Sequence, residues 1–248
     1  MLSAREQYTV GAKIYDVINE DDAVLFSERV VDKILELGFK FDSCVEYGCG
    51  TGLILNHIAK NCMIIAGCDI SREMLVHASD RLQNNAFLKN VDMRLFKTDC
   101  KYKLALCVND CINYLPKIEE WRRFIENVSE SIVSGGLFIL EYDTLYDLRE
   151  IWNDNINVYE NDNFMCIKTY NYNSSENFGE ERQLYFIRHN LLWDKFVEVH
   201  RQYSFTQNEV IELCISCGFS IRAMQDADTG EDFIEGESLR CILYLQKI

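Results

Sequence analysis

Short apolar runs alternate with amphipathic stretches along the first half of the chain. The apolar runs have the length of buried strands and lie at residues 43–46, 63–68, 91–96, 103–108 and 137–142. The amphipathic stretches carry apolar side chains at helical spacing and lie at residues 21–38, 53–59, 71–82 and 118–133. Repeated strand–helix units of this kind predict a doubly wound α/β fold, in which a mostly parallel sheet carries helices on both faces.

The pattern changes after residue 142, where apolar and polar positions alternate as they do in antiparallel strands. Strands are predicted there at residues 158–159, 164–172 and 183–205. Thr206 then caps a helix that runs to Cys217, and Gly218 stops it. Two last strands are predicted at residues 219–224 and 239–246.

These elements divide the chain into a core, residues 1–142 and 204–248, and an antiparallel β insertion, residues 143–203. The insertion follows the fifth strand and is rich in aromatic side chains, so we expect it to project over the carboxyl ends of the strands. There it would form a wall of the substrate pocket or a dimer contact. A self-contained packing layer is the alternative, because aromatic strands are ordinarily part of a core.

Composition narrows the classes of partner. The net charge is −15, from 25 Lys and Arg against 40 Asp and Glu, and no long basic cluster occurs. A nucleic-acid or anionic-membrane partner is therefore not expected. The polar N-terminus, residues 1–6, and the lack of an apolar run of membrane length predict a cytoplasmic protein whose eleven cysteines stay reduced. Cys214 and Cys217 form a lone CxxC without further ligands, so no metal is expected.

Candidate chemistry lies where the first two predicted strands end. Glycines at 48, 50 and 52 follow Glu46, and Asp69 ends the next strand about twenty residues later. Glycines let a backbone turn sharply against a ligand, and a carboxylate at Asp69 can accept both hydroxyls of an adenosine ribose. A dinucleotide site would need G-x-G-x-x-G, but position 53 is Leu. Glu46 suits a ligand with an ammonium and a sulfonium better than a pyrophosphate.

These residues carry a family resemblance. Residues 45–52 (V-E-Y-G-C-G-T-G) resemble the glycine-rich first motif of class I S-adenosylmethionine-dependent methyltransferases, and residues 67–71 resemble their second motif. Residues 104–115 resemble the fourth motif of the small-molecule members. Tyr15-Asp16 before a long helix resembles the N-terminal cap of sugar-amine and glycine-type N-methyltransferases. The likeness covers roughly residues 10–150 and 203–247 and implies a Rossmann-like, seven-stranded sheet.

The resemblance also implies roles at individual positions. It places the methionine part of S-adenosyl-L-methionine against Tyr15, Glu46, Gly48, Cys49, Gly50 and Asn109. It places the adenosine part against Asp69, Ile70, Met74, Asp99 and Cys100. Within these sets, Asp69 binds the ribose hydroxyls and Asp99 the adenine amine. Core packing explains Ile70 and Met74 about equally well, and packing on the sheet edge is an alternative for Tyr15.

The leading hypothesis is therefore methyl transfer to a nitrogen or oxygen of a small-molecule substrate, with a homodimer left open. The displacement needs neither metal nor covalent nucleophile, so orienting the acceptor can supply much of the rate. Asp110, Tyr114 and Tyr142 lie at or just beyond strand ends, and we nominate them for this task. A nucleotide-dependent oxidoreductase and a cofactor-binding, non-catalytic regulator are the alternatives.

Overall fold

The computed structural model describes residue 8, residues 11–83 and residues 85–248, and only the backbone of Lys13. The polar segment 1–6 that entered the cytoplasmic prediction lies outside these residues. The helices are α1 Tyr15–Glu36, α2 Leu53–Ile58, α3 Arg72–Arg81, α4 Ile118–Ser131, α5 Leu145–Glu150 and α6 Gln207–Ser216. The strands are β1 Ser43–Tyr47, β2 Ile64–Asp69, β3 Phe87–Asn90, β4 Tyr102–Cys107, β5 Ile132–Asp143, β6 Ile156–Glu160, β7 Phe164–Asn173, β8 Phe178–His189, β9 Leu192–Gln202, β10 Phe219–Asp226 and β11 Arg240–Lys247.

The large sheet has seven strands in the order β10-β11-β5-β4-β1-β2-β3. Strands β1 to β5 are parallel, and β11 pairs antiparallel with both β5 and β10. The order reverses beside β1, so the turns after β1 and β4 open next to each other at the carboxyl edge. This is where open α/β sheets bind their ligands. The predicted doubly wound, mostly parallel seven-stranded sheet is confirmed.

Both faces of this sheet are buried. Alternate side chains of β5 enter different cores, one on each face. Phe138 and Leu140 face the core under α4 and α6, around Trp121. Leu137 and Ile139 face the opposite core, under α1, α2 and α3. Successive strand residues point to opposite faces, so Tyr142 continues the first row and Glu141 the second. This assignment decides which of the two side chains can reach the ligand edge.

The second sheet confirms the predicted antiparallel insertion. Its four strands pair in the order β6-β7-β8-β9, each antiparallel to its neighbour. The predicted strand 183–205 is in fact the end of β8 plus β9, which are joined at Asn190 in the left-handed conformation. Helix α5 was not predicted. The division of the chain into two domains stays a prediction.

Helix α1 begins at Tyr15, six positions before the predicted start at residue 21. Its first turn is held by the insertion, because Ile14 and Ile18 pack against Phe164, Cys166 and Tyr185 of the second sheet. Further along, Phe26, Val30 and Ile34 enter the core of the large sheet. The helix therefore bridges both sheets, and these tertiary contacts, rather than local capping, fix where it starts. Among the described helices, none has the length and apolar character to cross a membrane.

The third predicted strand is wrong. Residues 91–96 alternate apolar and polar positions, yet the strand is Phe87–Asn90 and residues 93–95 form a turn. β3 is an edge strand with mostly exposed side chains, so it lacks an apolar signature. Phe96 is buried outside the strand, where its ring packs edge-on to Tyr47 at 5.6 Å. Asp99 is consequently far along the chain from the strand end that it was expected to mark.

Candidate active site

The turn between β1 and α2 has its glycines in the left-handed conformation, with φ of +75° at Gly48, +50° at Gly50 and +74° at Gly52. A Cβ on Gly48 would lie 2.5 Å from Cys111 Sγ, so no larger residue fits there without a shift. The N–H groups of Gly48 and Cys49 both donate to the Cys68 carbonyl, at 2.8 and 2.9 Å. The turn is thereby fixed to β2, with its backbone against a cavity at the carboxyl edge.

Asp69 ends β2 and faces the same cavity. Its Oδ2 accepts the Gly50 N–H at 2.9 Å and its Oδ1 the Ser71 N–H at 2.8 Å. Burial raises the pKa of Asp69, and these backbone donors oppose the rise. Each carboxylate oxygen retains a lone pair, so the side chain can still accept hydrogen bonds from a ligand.

Glu46 lies beneath the glycine turn and is only 3% exposed. Its Oε2 is buried and has no hydrogen-bond partner among the described residues. Burial raises the pKa of Glu46 well above its usual range, and the nearby Asp69 adds to the rise. A buried carboxylate oxygen without a donor is costly, and the ammonium of S-adenosylmethionine would satisfy it. The residues present therefore fit the cofactor that the sequence implies.

The cavity brings together most of the predicted cofactor residues. These are Tyr15, Glu46, Gly48, Cys49, Gly50, Asp69, Ile70, Met74 and Asn109, and Tyr114 joins them. Asp99 and Cys100 are a correction, because both are exposed and neither is among the described residues that line the cavity. Asp92, Met93 and Arg94 line it instead, directly after β3. Asp92 is an acidic residue just beyond the end of β3, and that position could have identified it. Because the third strand was predicted at residues 91–96, Asp92 was taken as part of a strand.

Helix α1 is fastened over the glycine turn. The Thr51 hydroxyl donates to Asp16 Oδ1 at 2.5 Å, and Arg81 of α3 pairs with Asp16 Oδ2 at 2.7 Å. Arg81 also donates to the Thr51 carbonyl at 2.7 Å. On the inner side, Asn109 Nδ2 donates to the Tyr15 hydroxyl at 3.2 Å. The start of the helix is thus attached to the glycine turn, and its Tyr15 forms part of the cavity wall.

A second, polar pocket adjoins the cavity and shares Tyr8, Tyr15 and Asn109 with it. It lies between α1, the second sheet and the loops after β4 and before β11. The remaining polar and charged side chains of its wall are Asn19, Asp22, Arg29, Asp110, Lys168, Glu181, Gln183, Tyr185, Asp228 and Arg240. Most of them come from distant parts of the chain, and Asp110 is the one of them that the sequence analysis nominated.

The charges of this pocket are largely paired. Lys168 Nζ lies 3.2 Å from Glu181 Oε1, and Arg240 bridges Asp228 and Glu141, the latter at 3.7 Å. Burial would lower the pKa of Lys168, but the Glu181 carboxylate outweighs it and the pKa is raised. Opposite charges in one polar pocket allow it to hold an acceptor that carries both hydroxyl and amino groups.

Asp110 faces this polar pocket, as its nomination required. Its backbone N–H donates to Glu141 Oε2 at 3.0 Å, and the Gln202 amide donates to its carboxylate. Burial, together with Glu141 and Glu181, raises the pKa of Asp110 to about 8. The group therefore titrates near neutral pH, beside the wall that the two pockets share.

Tyr142 is a correction. It is fully buried, its hydroxyl donates to Gln207 Oε1 at 2.7 Å, and its ring packs edge-on to Trp121 at 5.7 Å. It lines neither pocket within the part of the chain that the structure describes. The alternation along β5 turns it away from the ligand edge, and its neighbour Glu141 is the residue that reaches the Asp110 turn.

A series of polar side chains leads away from the cavity through Tyr114. The sequence nominated Tyr114, but no pattern indicated its contacts with Tyr8 and His200. The Tyr8 and Tyr114 hydroxyls are 2.6 Å apart, and the Tyr114 hydroxyl lies 3.0 Å from His200 Nδ1. His200 is fully buried on β9, with its Nε2 at 3.6 Å from Glu198 Oε2. Glu198 Oε2 in turn accepts the Tyr8 N–H at 3.2 Å. His200 lies about ninety residues from Tyr114, so no local pattern links them.

The eleven cysteines are all free thiols. Cys214 is buried in α6 and Cys217 follows that helix. In the described part of the chain, no three His, Cys, Asp or Glu side chains form a group that could hold a metal ion.

Comparison with known proteins identifies the kind of domain. The family model described as methyltransferase domain matches residues 45–138, which include the glycine turn, Asp69 and the turn after β4. The dTDP-3-amino-3,4,6-trideoxy-alpha-D-glucopyranose N,N-dimethyltransferase of Streptomyces venezuelae is 29% identical over 133 residues. That alignment covers 52% of this chain and spans 56% of the length of the relative.

Two solved structures share the whole fold. An S-adenosylmethionine-dependent methyltransferase from Clostridium acetobutylicum superposes with a TM-score of 0.85 at 20% identity, over 97% of this chain and 98% of that one. Streptomyces venezuelae DesVI superposes with a TM-score of 0.78 at 21% identity, over 94% and 97% of the two chains. The two likenesses show that the chain has the fold of these methyltransferases, and the methyltransferase domain model matches the part of it that carries the glycine turn and Asp69.

Proposed function

We propose that this chain, an S-adenosylmethionine-dependent methyltransferase, methylates the amino group of a small, hydroxyl-bearing acceptor of the amino-sugar kind. One observation carries the proposal: the cofactor cavity and the polar pocket meet at Tyr8, Tyr15 and Asn109. An acceptor in the polar pocket would thus present one end to the cavity. The Streptomyces venezuelae relative, which dimethylates an amino sugar, makes nitrogen the preferred acceptor atom.

The charge at this meeting point also favours nitrogen. Asp110 follows Asn109 directly and faces the polar pocket, with Glu181 contributing further negative potential. An ammonium beside Asp110 would oppose its raised pKa and favour the carboxylate form, which in turn attracts and orients the ammonium. Once the ammonium has lost its proton, the amine already carries the lone pair that attacks. A hydroxyl would need its proton removed during the attack itself, which is the harder task at neutral pH.

The roles of the chain's own residues follow from the geometry. The bound cofactor supplies an electrophilic methyl group on a positively charged sulfur. Glu46 would pair with its ammonium and Asp69 with its ribose hydroxyls, while Ile70, Met74 and Met93 line the apolar side of the cavity. Tyr15, held by Asn109, would fix the boundary between cofactor and acceptor.

In this mechanism, most of the rate comes from orientation. Holding two reactants in line is worth up to about 7–11 kcal/mol, which needs no strong acid or nucleophile from the protein. Asp110 and Tyr114 would then act on the acceptor by position and by hydrogen bonds. Tyr142 has no part in this scheme.

We also propose that the insertion, residues 143–203, serves as the wall of the acceptor pocket. Lys168 on β7 and Glu181, Gln183 and Tyr185 on β8 support this role, because they line the polar pocket opposite α1. Their polar groups are suited to sugar hydroxyls. A dimer contact through the insertion stays a prediction.

The test is a methyl-transfer assay with S-adenosylmethionine labelled in the methyl group. The acceptors are the dTDP-3-amino sugar named above, its 3-hydroxy counterpart, and the amino sugar without the nucleotide. We expect label on the nitrogen of an amino compound and none on the hydroxy counterpart. Binding of S-adenosylhomocysteine is measured separately by calorimetry. Transfer to the hydroxy compound, or binding of the cofactor without transfer to any amine, would contradict the proposal.

A further inference from the structure

The hydrogen-bonded chain Tyr8–Tyr114–His200 connects the reaction cavity with a fully buried histidine, and Glu198 Oε2 lies 3.6 Å beyond the Nε2 of that histidine. Tyr8 lines both pockets and Tyr114 lines the cofactor cavity, so the outer end of the chain opens where the acceptor amine would lie. The inner end is His200, which has no exposed surface and cannot exchange protons with bulk water directly. We infer that these side chains form a proton relay that takes the proton of the acceptor ammonium and stores it on His200.

The relay needs the tautomer of His200 that carries its hydrogen on Nε2. Nε2 has no hydrogen-bond partner among the described residues, but the Glu198 carboxylate lies 3.6 Å away, and an N–H directed at it is favoured over a lone pair. Its Nδ1 is then unprotonated and lies 3.0 Å from the Tyr114 hydroxyl, which can donate to it. The histidine is therefore placed to receive a proton at Nδ1.

The two tyrosines can pass a proton without becoming charged. Burial raises the pKa of Tyr8 and that of Tyr114 well above the usual range, so both stay neutral phenols. Their hydroxyl oxygens are 2.6 Å apart, which is a short O–H···O hydrogen bond. Each phenol therefore gives up its own proton as it receives another one.

The proton transfer along this chain rests on the proposed amine acceptor. The ammonium gives a proton to the Tyr8 oxygen, the Tyr8 proton moves to the Tyr114 oxygen, and the Tyr114 proton moves to His200 Nδ1. The acceptor becomes a neutral amine and His200 becomes an imidazolium. The nitrogen lone pair would then form the N–C bond while the C–S bond of the bound cofactor breaks and its electron pair stays on sulfur. After the product leaves, His200 returns the stored proton through Tyr114 and Tyr8 to water in the emptied pocket.

Two acidic residues are neighbours of His200 in the second sheet. Glu198 lies on the same strand, and Glu181 is the residue directly opposite His200 in the β8–β9 pairing. The titratable and charged groups that the structure places against it are Glu198 on β9, Glu181 on β8 with its partner Lys168 on β7, and the phenols of Tyr8 and Tyr114.

Purely structural linkage of the N-terminal segment to the second sheet is the competing explanation. Glu198 does hold that segment, because its Oε2 accepts the Tyr8 N–H at 3.2 Å. A structural link, however, predicts effects that do not depend on pH. A relay predicts that its loss slows methyl transfer only at pH values where the acceptor amine binds in its protonated form.

The kinetic test uses His200→Gln, because glutamine keeps a hydrogen-bond acceptor for Tyr114 but cannot take up a proton. With the dTDP-3-amino sugar as probe, we expect kcat at pH 7 to fall by about 10–100-fold, near the lower end of what one acid–base group contributes. The deficit should shrink about tenfold per pH unit, because water then supplies free amine. KM and S-adenosylhomocysteine affinity should change little. A deficit that is equal at every pH would overturn the relay.

The matched control is His189→Gln, since His189 lies on the adjacent strand β8 but is exposed and pairs with Asp194. This variant should keep the wild-type rate and pH profile. A second measurement needs no acceptor: nitrogen NMR of the imidazoles, with His200 assigned by its loss in His200→Gln. We expect the Nε2–H tautomer in wild type and a changed Nδ1 signal in Tyr114→Phe. An Nδ1–H tautomer would exclude the relay even if amine methylation is confirmed, and the two proposals are thus separable.

Discussion

The cofactor cavity and the polar pocket adjoin each other, yet they are built in different ways. The cavity is formed mainly by backbone turns at the ends of β1, β2 and β4, where glycine conformations and a few acids meet. The polar pocket is formed by charged side chains from α1, β7, β8 and the start of β11. The shape of the cofactor cavity therefore depends on steric fit at particular backbone positions. The properties of the polar pocket depend on the balance of its buried charges, and therefore on pH.

The largest expected effect is at the backbone of the cavity. Gly48→Ala places a Cβ 2.5 Å from Cys111 Sγ at a φ of +75°, so the turn must move. We expect S-adenosylhomocysteine affinity to fall by about 100-fold or more, since strain of about 1–3 kcal/mol adds to lost contacts. Calorimetry measures the affinity and denaturant unfolding measures the stability.

Gly38→Ala is the control for this change. Gly38 also has a positive φ, +80°, but a Cβ there would meet nothing within 4 Å. It should lower the free energy of unfolding by about 1–2 kcal/mol and leave cofactor affinity unchanged. Equal affinity losses in the two variants would show that left-handed strain alone, and not the close approach to Cys111, shapes the cavity.

Among the described residues that line the cofactor cavity, Glu46 has the carboxylate oxygen without a hydrogen-bond partner, and Glu46→Gln removes its charge. Losing a charged hydrogen bond of about 1.5–3 kcal/mol should weaken S-adenosylhomocysteine binding by about 10–100-fold. In wild type, the ligand ammonium should lower the raised pKa of Glu46, so binding releases a proton and affinity rises with pH. The glutamine variant should lack this rise. Exposed Glu36→Gln on α1 is the control, and a wild-type pH dependence retained in Glu46→Gln would refute the pairing.

Asp110→Asn tests the charge balance of the polar pocket. Burial in the folded state raises the pKa of Asp110 to about 8, well above the usual carboxyl range, so the folded chain binds a proton that the unfolded chain releases. The stabilising effect of that proton is complete below about pH 4 and is lost as pH rises toward 8. Asparagine also accepts the left-handed backbone of this position, where φ is +52°.

We therefore expect Asp110→Asn to flatten the decline of stability with pH and to add on the order of 1–3 kcal/mol at pH 8, the usual cost of an uncompensated buried group. Urea unfolding at several pH values measures this. Asp99→Asn, at an exposed carboxylate, should follow wild type. A steeper decline in Asp110→Asn than in wild type would mean that the carboxylate is stabilised as an anion.

The smallest expected effect concerns the adenosine end of the cavity. Met93→Ala removes a side chain of the cavity wall, and a loss of about 1 kcal/mol would lower S-adenosylhomocysteine affinity about fivefold. Cys100→Ser, at the position first expected to contact adenine, should change nothing, because Cys100 is exposed outside the cavity. The reverse result would return the adenine contact to residues 99–100.

Both corrections in the site come from secondary structure that the sequence pattern did not resolve. At β3 the strand is short and exposed, so the alternating residues after it gave the stronger strand signal although they form a turn. At β5 both faces are buried, so polarity could not show which of Glu141 and Tyr142 points toward the ligand edge. The error at β3 placed the expected adenine contact at residues 99–100 and not at residues 92–94. The error at β5 selected Tyr142 and not its neighbour Glu141.

What the sequence determined by itself was local: the glycine turn, Asp69 one strand further on, the caps at Ser71 and Thr206, and hence the cofactor class. Such features depend on backbone conformations that only certain residues adopt, so single residues reveal them. The tertiary structure alone decided the polar pocket and the link from Tyr8 through Tyr114 to His200. These features depend on which distant segments pack together. A buried polar group needs a hydrogen-bond partner, but the local sequence does not show which distant residue will provide it.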